Sequence, residues 1–396
     1  MNGSDIEQLI ERIGKRGLIA GVVFGVLAVI GAVLQPAAFF QAYLMGYLFW
    51  VSIALGSLVT LMIHHLTGGA WTFLIRRPME AAVRTLPLLA VLFIPIIIGM
   101  PHLYKWAVPE LVEADKYLQF KAPYLNTPFF IIRAILYFAI WGGLGYLLTK
   151  WSYRQDESGD AKLNQPMRIT SGIGIVLYGL AATFASFDWL MSLDPHWFSS
   201  IYGPMFMVGH GLTALAFLLV VLVSFAKYKP LSDVVSQDRY HDLGKWLFAL
   251  VVLWAYMMFS QFIIIWSGNL PEHIAWYLRR SSTDWKLIAL VLTLFHFVVP
   301  FLVLLSRMMK QRAPILIKVA VGILIMRFVD LFWMIAPDLH EGVLRLHWLD
   351  LVVPVAIGGV WLTAFARNLK GRSLVVLHDP RFTALMAESK EGPHDG

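Results

Sequence analysis

The residues of this chain that could do chemistry are mostly acids and histidines inside long apolar stretches. The group comprises Asp188, His210, His296, Arg327 and Asp330. An ionisable side chain at bilayer depth costs about 2.5–3.5 kcal/mol, so each of these residues needs a partner or a purpose. Imidazole titrates near neutral pH and carboxylates exchange protons, so these groups are typical of proton transfer within a membrane.

Three of these side chains have the chemistry that a quinone site requires. A quinone needs an apolar slot, a hydrogen-bonding group at each carbonyl and a proton acceptor for the quinol. We therefore predict that Asp188, His210 and His296 bind quinone, together with neighbouring Tyr or Trp residues. The candidate residues for proton transfer are His64, His65, Asp188, His210, His296, Arg327, Asp330 and Asp350.

The same residues allow other interpretations. Arg327 and Asp330 are three positions apart, so they can form an ion pair on one helix face. His210 and His296 could ligate a haem from two facing helices, although two lone histidines are weak evidence for one. A hydrogen-bonded core that holds no ligand explains these residue types as well, and residue types alone favour it.

The elements that must position these residues are ten apolar stretches, most of them longer than the ~20 residues needed to cross a bilayer. They cover 17–34, 39–63, 86–100, 127–148, 169–190, 203–225, 243–266, 285–305, 314–336 and 346–365. Lysines and arginines fall mostly in every second gap, which by the positive-inside rule predicts cytoplasmic termini. We expect an all-α integral membrane protein with a short N-terminal segment (1–16), one membrane domain (17–366) and a tail (367–396).

Composition supports this class and excludes others. The chain is 58% hydrophobic and 14% charged, with a mean hydropathy of +0.67, outside the usual range of soluble domains. Its net charge of +7 is spread over short loops facing lipid headgroups, so we expect membrane lipid and no nucleic acid as partner. The absence of Cys excludes Cys-ligated iron–sulfur clusters, thioether-linked haem and disulfides within this chain.

Three motifs are more specific than general membrane sequence. They are Phe184-Ala-Ser-Phe-Asp-Trp-Leu-Met-Ser-Leu-Asp-Pro-His-Trp-Phe-Ser-Ser-Ile-Tyr-Gly203, Phe259-Ser-Gln-Phe-Ile-Ile-Ile-Trp-Ser-Gly-Asn-Leu-Pro-Glu-His273 and His64-His-Leu-Thr-Gly-Gly-Ala-Trp71. Together they resemble the ActF family, membrane subunits of bacterial alternative complex III related to the NrfD-like subunit of polysulfide reductase. The tail motif Leu377-His-Asp-Pro-Arg-Phe382 resembles a closing motif of ActF and its sibling ActC.

The resemblance implies two four-helix bundles, helices 2 to 5 (39–190) and 6 to 9 (203–336), flanked by helices 1 and 10. It also implies a complex that oxidises menaquinol or ubiquinol. Electrons would pass through iron–sulfur clusters and haem c of periplasmic partner subunits to cytochrome c or a terminal oxidase, beside an ActC-like sibling. A proton route would start at His64 and His65 and continue, beyond an apolar gap, at Asp188, His210, His296 and Asp330.

We therefore expect a multi-pass subunit of the bacterial cytoplasmic membrane, part of a quinol:cytochrome c or quinol:electron-acceptor oxidoreductase. It would provide scaffold, a quinone site and a proton path, with no catalytic residue or metal ligand of its own. One alternative is a stand-alone proton-coupled secondary transporter, which would also have broken helices and charges at mid-membrane depth. Another is a subunit that serves only as scaffold.

Overall fold

The computed structural model describes residues 3–281, 284–340, 343–376, 379 and 382, and in these residues it contains helices and no strand. Ten long helices are labelled in chain order: α1 Gly3–Leu34, α2 Pro36–Thr67, α3 Arg76–Ile98, α4 Thr127–Ser158, α5 Asn164–Trp189, α6 Tyr202–Phe225, α7 Gln237–Gly268, α8 Trp285–Leu305, α9 Ala313–Leu339 and α10 Leu349–Leu369. The shorter α-helices are Met100–Leu103, Pro109–Ala114, Lys116–Lys121, Pro271–Ser281 and Arg307–Gln311, and the 3-10 turns are Ala70–Thr72, Lys105–Ala107, Ala161–Leu163, Met191–Leu193 and Leu231–Asp233.

The predicted all-α membrane class is confirmed. In the part of the chain that the structure describes, nine helices, all of the ten except α9, are long and apolar enough to cross a membrane. Helix α9 has 27 residues, about 40 Å at 1.5 Å per residue, and it carries Lys318, Arg327 and Asp330. Each of the ten predicted spans therefore corresponds to a long helix. Helix α1 begins at Gly3, so the N-terminal segment continues into the first span.

Helices contact one another both within and between the two predicted bundles, helices 2 to 5 and 6 to 9. Helix α2 packs on α3, α4 and α5, α6 packs on α7 and α9, and α8 packs on α7 and α9. The two bundles meet mainly where α2 lies against α6, with Gly56 so close that a Cβ there would be 2.0 Å from the carbonyl oxygen of His210. Helix α1 lies along α10, where Gly17 and Gly21 face the backbone at Gly359. These two helices flank the bundles.

The first part of α1 and the end of α10 lie at one face of the molecule. Lys370 Nζ, just after α10, is 3.7 Å from a carboxylate oxygen of Glu11 in α1, and Thr363 donates a hydrogen bond to the carbonyl oxygen of Gly14. We call this the basic face, because its loops hold most of the lysines and arginines outside the spans. The other end of the helices is the opposite face.

Two of the helices are irregular, in each case near proline. Helix α3 consists of Arg76–Val83, Leu86–Val91 and Ile94–Ile98, because Pro87 and Pro95 cannot donate backbone hydrogen bonds. The hydroxyls of Tyr43 and Tyr47 on α2 donate to the carbonyl oxygens of Leu92 and Leu89, at 2.8 and 3.0 Å. Neighbouring side chains thus satisfy backbone groups at the breaks, as a membrane interior requires.

Helix α8 contains a π-helical segment, Leu292–Val298, between Trp285–Val291 and Val299–Leu305. Pro300 lies just after it and has no N–H to give to the carbonyl four residues earlier. The segment carries His296 and turns its ring into the bundle, where it is fully buried. Such π-bulges occur frequently at functional sites.

Candidate functional site

Asp188 forms a buried ion pair in the first bundle. Both of its oxygens accept hydrogen bonds from Arg133 on α4, from Nε to Oδ2 and from Nη2 to Oδ1, each at 2.8 Å. The Tyr137 hydroxyl donates to Oδ2 as well, at 2.7 Å. The Arg133 guanidinium also lies over the ring of Tyr124, 3.9 Å from its centroid. The pair joins α4 to α5 near the opposite face.

This geometry gives Asp188 a fully paired carboxylate, since a bidentate arginine contact uses both oxygens in a specific orientation. Sequence reasoning placed Arg133 in or near the fourth span but did not include it among the site residues. The sequence does contain a signal for this pair, namely an arginine early in one span and an aspartate late in the next. Because consecutive spans are antiparallel, the two residues lie at the same membrane depth.

A second buried charge cluster lies between α6, α7 and α9. Arg327 Nη1 donates to Asp330 Oδ2, which confirms the ion pair expected from their spacing, and Arg327 Nε donates to the hydroxyl of Thr213 at 3.3 Å. The Trp254 indole N–H donates to the same Asp330 Oδ2 at 3.3 Å. Gly209 makes space for the guanidinium, since a Cβ there would be 2.3 Å from Arg327 Nη2.

His210 and His296 lie beside this cluster: His210 follows Gly209, which faces the Arg327 guanidinium, and the His296 ring is 4.0 Å from that of Trp254. His210 Nδ1 shares a hydrogen bond of 2.9 Å with the hydroxyl of Tyr178. Among the described residues, His210 Nε2, both ring nitrogens of His296 and Asp330 Oδ1 are buried without a hydrogen-bond partner. Buried polar atoms normally have partners, so these atoms are available to hydrogen-bond with water or a ligand.

An apolar groove of about 750 Å³ lies between α7 and α8, and Trp254 connects it to the cluster. Residues on its walls include Trp254, Phe259, Phe262, Ala289, Thr293 and Phe297. Tyr256 and Phe259 at its rim are exposed on the surface that faces lipid. Trp254 belongs to both features: it lines the groove, donates to Asp330, and has its ring 4.0 Å from that of His296.

The end of the groove nearer the opposite face is formed by Pro271–Ser281. Arg280 lines the groove there, and its guanidinium is 3.5 Å from the centroid of the Trp276 ring. It donates to Asp338 Oδ2 at 2.7 Å and to the carbonyl oxygen of Met334 at 2.8 Å. These contacts tie the short helix to the end of α9 and fix the shape of the groove.

The other candidate residues lie elsewhere. His64 and His65 are buried at the end of α2 on the basic face, where His64 hydrogen-bonds with Thr72 and its ring is 5.0 Å from that of Phe73. Asp350 is in the first turn of α10 and accepts a hydrogen bond of 2.9 Å from the backbone N–H of His347. The structure therefore brings His210, His296, Arg327 and Asp330 together, and places Asp188, His64, His65 and Asp350 at other positions.

The three motifs on which the family resemblance rests contain some of these candidate residues. The first contains Asp188, the second covers the end of α7 and the start of Pro271–Ser281, and the third contains His64 and His65. A comparison of the chain with protein-family models found no match, and neither did a comparison with curated proteins. Membership of the ActF family stays a prediction from these motifs.

Proposed function

We propose that this chain is a membrane subunit of a quinol:electron-acceptor oxidoreductase of the alternative complex III type, and that quinone binds in the groove between α7 and α8. The observation that carries this proposal is the double contact of Trp254, with the groove on one side and with Asp330 and His296 on the other. It puts an apolar ligand beside groups able to take up protons.

The groove fits the physical requirements of a quinone. Ligand pockets are typically about 300–1,000 Å³ and mostly apolar, with a few polar groups that orient the ligand. The groove has about 750 Å³ and aromatic walls, with polar Thr293, Tyr277 and Arg280 among its lining residues. Since it faces lipid, a menaquinone or ubiquinone could enter from the bilayer with its isoprenoid tail still in the hydrocarbon.

The buried cluster supplies the proton chemistry. Oxidation of a quinol releases two electrons and two protons; the electrons would go to haem c or iron–sulfur clusters of partner subunits. Asp330 Oδ1 and the His296 ring nitrogens are buried and have no hydrogen-bond partner among the described residues, so they are available to exchange protons. Trp254 and Arg327 hold the other carboxylate oxygen of Asp330, which orients Oδ1. His210 and Tyr178 extend the polar chain toward the first bundle.

In this proposal the first bundle serves mainly as scaffold. Asp188 has both oxygens paired, so we assign the Arg133–Asp188 pair to holding α4 and α5 together. The subunit would act beside an ActC-like sibling and periplasmic subunits in the bacterial cytoplasmic membrane, with both termini on the cytoplasmic side.

Purification under mild conditions tests the proposal. The chain is purified from its native membranes through an affinity tag, and its optical spectrum and quinol-dependent reduction of cytochrome c are recorded. Co-purified c-type haem together with quinol oxidation supports a respiratory complex. A colourless and inactive protein contradicts it and favours the stand-alone transporter, which would instead move a solute with protons when reconstituted alone.

The groove is tested by filling it. Ala289→Trp places a large ring in the groove, and we expect the apparent KM for quinol to rise about tenfold or more, equivalent to ~1.4 kcal/mol of binding. The matched control is Ala139→Trp, at an exposed position of α4 in the first bundle. An equal apparent KM for quinol in the two variants would contradict quinone binding in the groove.

A further inference from the structure

The described residues after α10 lie against the basic-face end of the first bundle. Residues 370–376, Asp379 and Phe382 are called the tail strap. Arg372 lies over the ring of Tyr153 on α4, 3.4 Å from its centroid, and Leu374, Val375 and Val376 are buried. The Phe382 ring is 5.4 Å from that of Phe73. The strap therefore makes cation–π and apolar contacts with elements far from it in sequence.

Asp379 inserts a carboxylate into a buried cluster of charges. Its Oδ2 is 2.7 Å from Nη1 of Arg76, a residue 303 positions away, and both side chains are fully buried. Arg76 also donates to Glu80 Oε1 at 3.0 Å and to the hydroxyl of Ser152 at 3.0 Å. The cluster continues through Arg77, which donates to Glu80 Oε2 at 2.6 Å.

The strap supplies a third carboxylate to this cluster. Arg76 and Arg77 are two buried cations, whereas the bundle itself contributes Glu80 and the partly exposed Asp156, which pairs with Arg77. Asp379 adds a fully buried carboxylate directly on Arg76. Removing one partner of a buried ion pair is unfavourable, and without the Asp379 charge Arg76 keeps its contact with Glu80 but loses the attraction that holds the strap. Loss of the Asp379 charge should therefore weaken the contact between the strap and Arg76 and make it easier for water to reach the cluster from the side of the strap.

We propose that the tail strap is a latch: the Asp379–Arg76 pair holds it closed over the basic-face end of the first bundle, and its release admits water to the Arg76–Arg77–Glu80 cluster. Phe73 lies between the strap and the end of α2, since its ring contacts those of both Phe382 and His64. Opening the latch would therefore also uncover the region around His64. This inference concerns the first bundle and is independent of the quinone groove.

The absence of native cysteine makes the latch measurable by thiol labelling. Val376→Cys places one reporter on the buried part of the strap, and the full-length protein is labelled with a water-soluble maleimide in native membranes opened to give access to both faces. We expect slow labelling that nevertheless reaches completion, and a rate about tenfold or more faster when Asp379→Asn is added.

Two further single-cysteine variants serve as controls. Ser232→Cys, on an exposed loop of the basic face, should label rapidly with or without Asp379→Asn. Ser57→Cys, in the buried part of α2, should stay protected in both backgrounds if the bundle remains folded. Slow but complete labelling of the strap reporter while the α2 reporter stays protected would show that the strap opens without unfolding.

If Asp379→Asn unfolds the bundle, Arg76→Lys is the milder variant, because it keeps the positive charge but loses the guanidinium geometry. It should accelerate labelling of the strap reporter by a smaller factor. The latch is overturned if the strap reporter labels as fast as the loop control in the unaltered background. It is also overturned if neither Asp379→Asn nor Arg76→Lys changes the labelling rate while the α2 reporter remains protected.

Discussion

The indole N–H of Trp254 donates to Oδ2 of Asp330 across 3.3 Å, and the same indole lines the lipid-facing groove. One side chain thus separates a space suited to an apolar ligand from a buried ion pair. The arrangement leaves Oδ1 of Asp330 without a hydrogen-bond partner among the described residues. This relationship connects quinone binding with proton uptake in the proposed function, and the first two predictions test it.

Replacing Asp330 by Asn should lower both stability and quinol turnover. It leaves the buried Arg327 guanidinium without its carboxylate, and breaking a buried pair in this way typically costs about 3–5 kcal/mol. The melting temperature of the purified complex, followed by intrinsic fluorescence, should fall clearly. Asp233→Asn is the control: its carboxylate is exposed and 3.9 Å from Lys229, so about 0–1 kcal/mol is expected. Equal melting temperatures for both variants would contradict this account of the pair.

Trp254→Phe should affect turnover more than stability. It keeps an aromatic ring in the groove wall but removes the hydrogen bond to Asp330. A hydrogen bond to a charged group contributes about 1.5–3 kcal/mol, which corresponds to a loss of roughly tenfold or more in quinol turnover if that bond orients the proton acceptor. Steady-state kinetics measure the loss. Trp266→Phe, at an exposed position of the same helix, should leave turnover unchanged. A similar loss of turnover in this control would contradict a specific role of Trp254.

Asp188 and Arg133 should behave as a structural pair. Asp188→Asn alone should destabilise the protein by about 3–5 kcal/mol, because the bidentate partner is left buried and unpaired. The double variant Arg133→Leu with Asp188→Leu should recover much of that stability and keep quinol turnover. Turnover lost in a double variant of restored stability would show that Asp188 takes part in the reaction.

Gly56→Ala should weaken the contact between the two bundles. The added methyl group would be 2.0 Å from the carbonyl oxygen of His210, so the backbones of α2 and α6 must separate, at about 1–3 kcal/mol or more. Gly142→Ala is the matched control, since a Cβ there meets nothing within 4 Å and helical Ala is favoured over Gly by about 0.5–1 kcal/mol. Thermal unfolding should move in opposite directions for the two variants. A Gly56→Ala protein as stable as the parent would contradict the close contact.

Prediction from the sequence succeeded where the physical cause is local. Long apolar stretches must become helices in lipid because every backbone polar group needs a partner, so each predicted span corresponds to a helix. The Arg327–Asp330 pair followed from spacing within one helix, where residues three apart are neighbours. All four residues of the second-bundle cluster were among the candidates, but the sequence grouped them with Asp188, which lies apart from them beside Arg133.

Contacts between helices were not predictable in the same way. Arg133 and Asp188 are 55 residues apart, and Trp254 and Asp330 are 76 apart, so no local period relates them. The groove depends on how α7 and α8 pack and on the Arg280 contacts that fix Pro271–Ser281. Asp379 was part of a recognised tail motif, but its insertion beside Arg76 required the tertiary structure.

Photoaffinity labelling tests the central claim, that quinone binds between α7 and α8, most directly. The purified complex is irradiated with an azido-quinone analogue, and the labelled peptides are identified by mass spectrometry. The account predicts labels in residues 252–262 or 289–297 of the groove, reduced by excess quinone and by Ala289→Trp but not by Ala139→Trp. Labels confined to the first bundle, or labelling of the groove that excess quinone does not reduce, would contradict it.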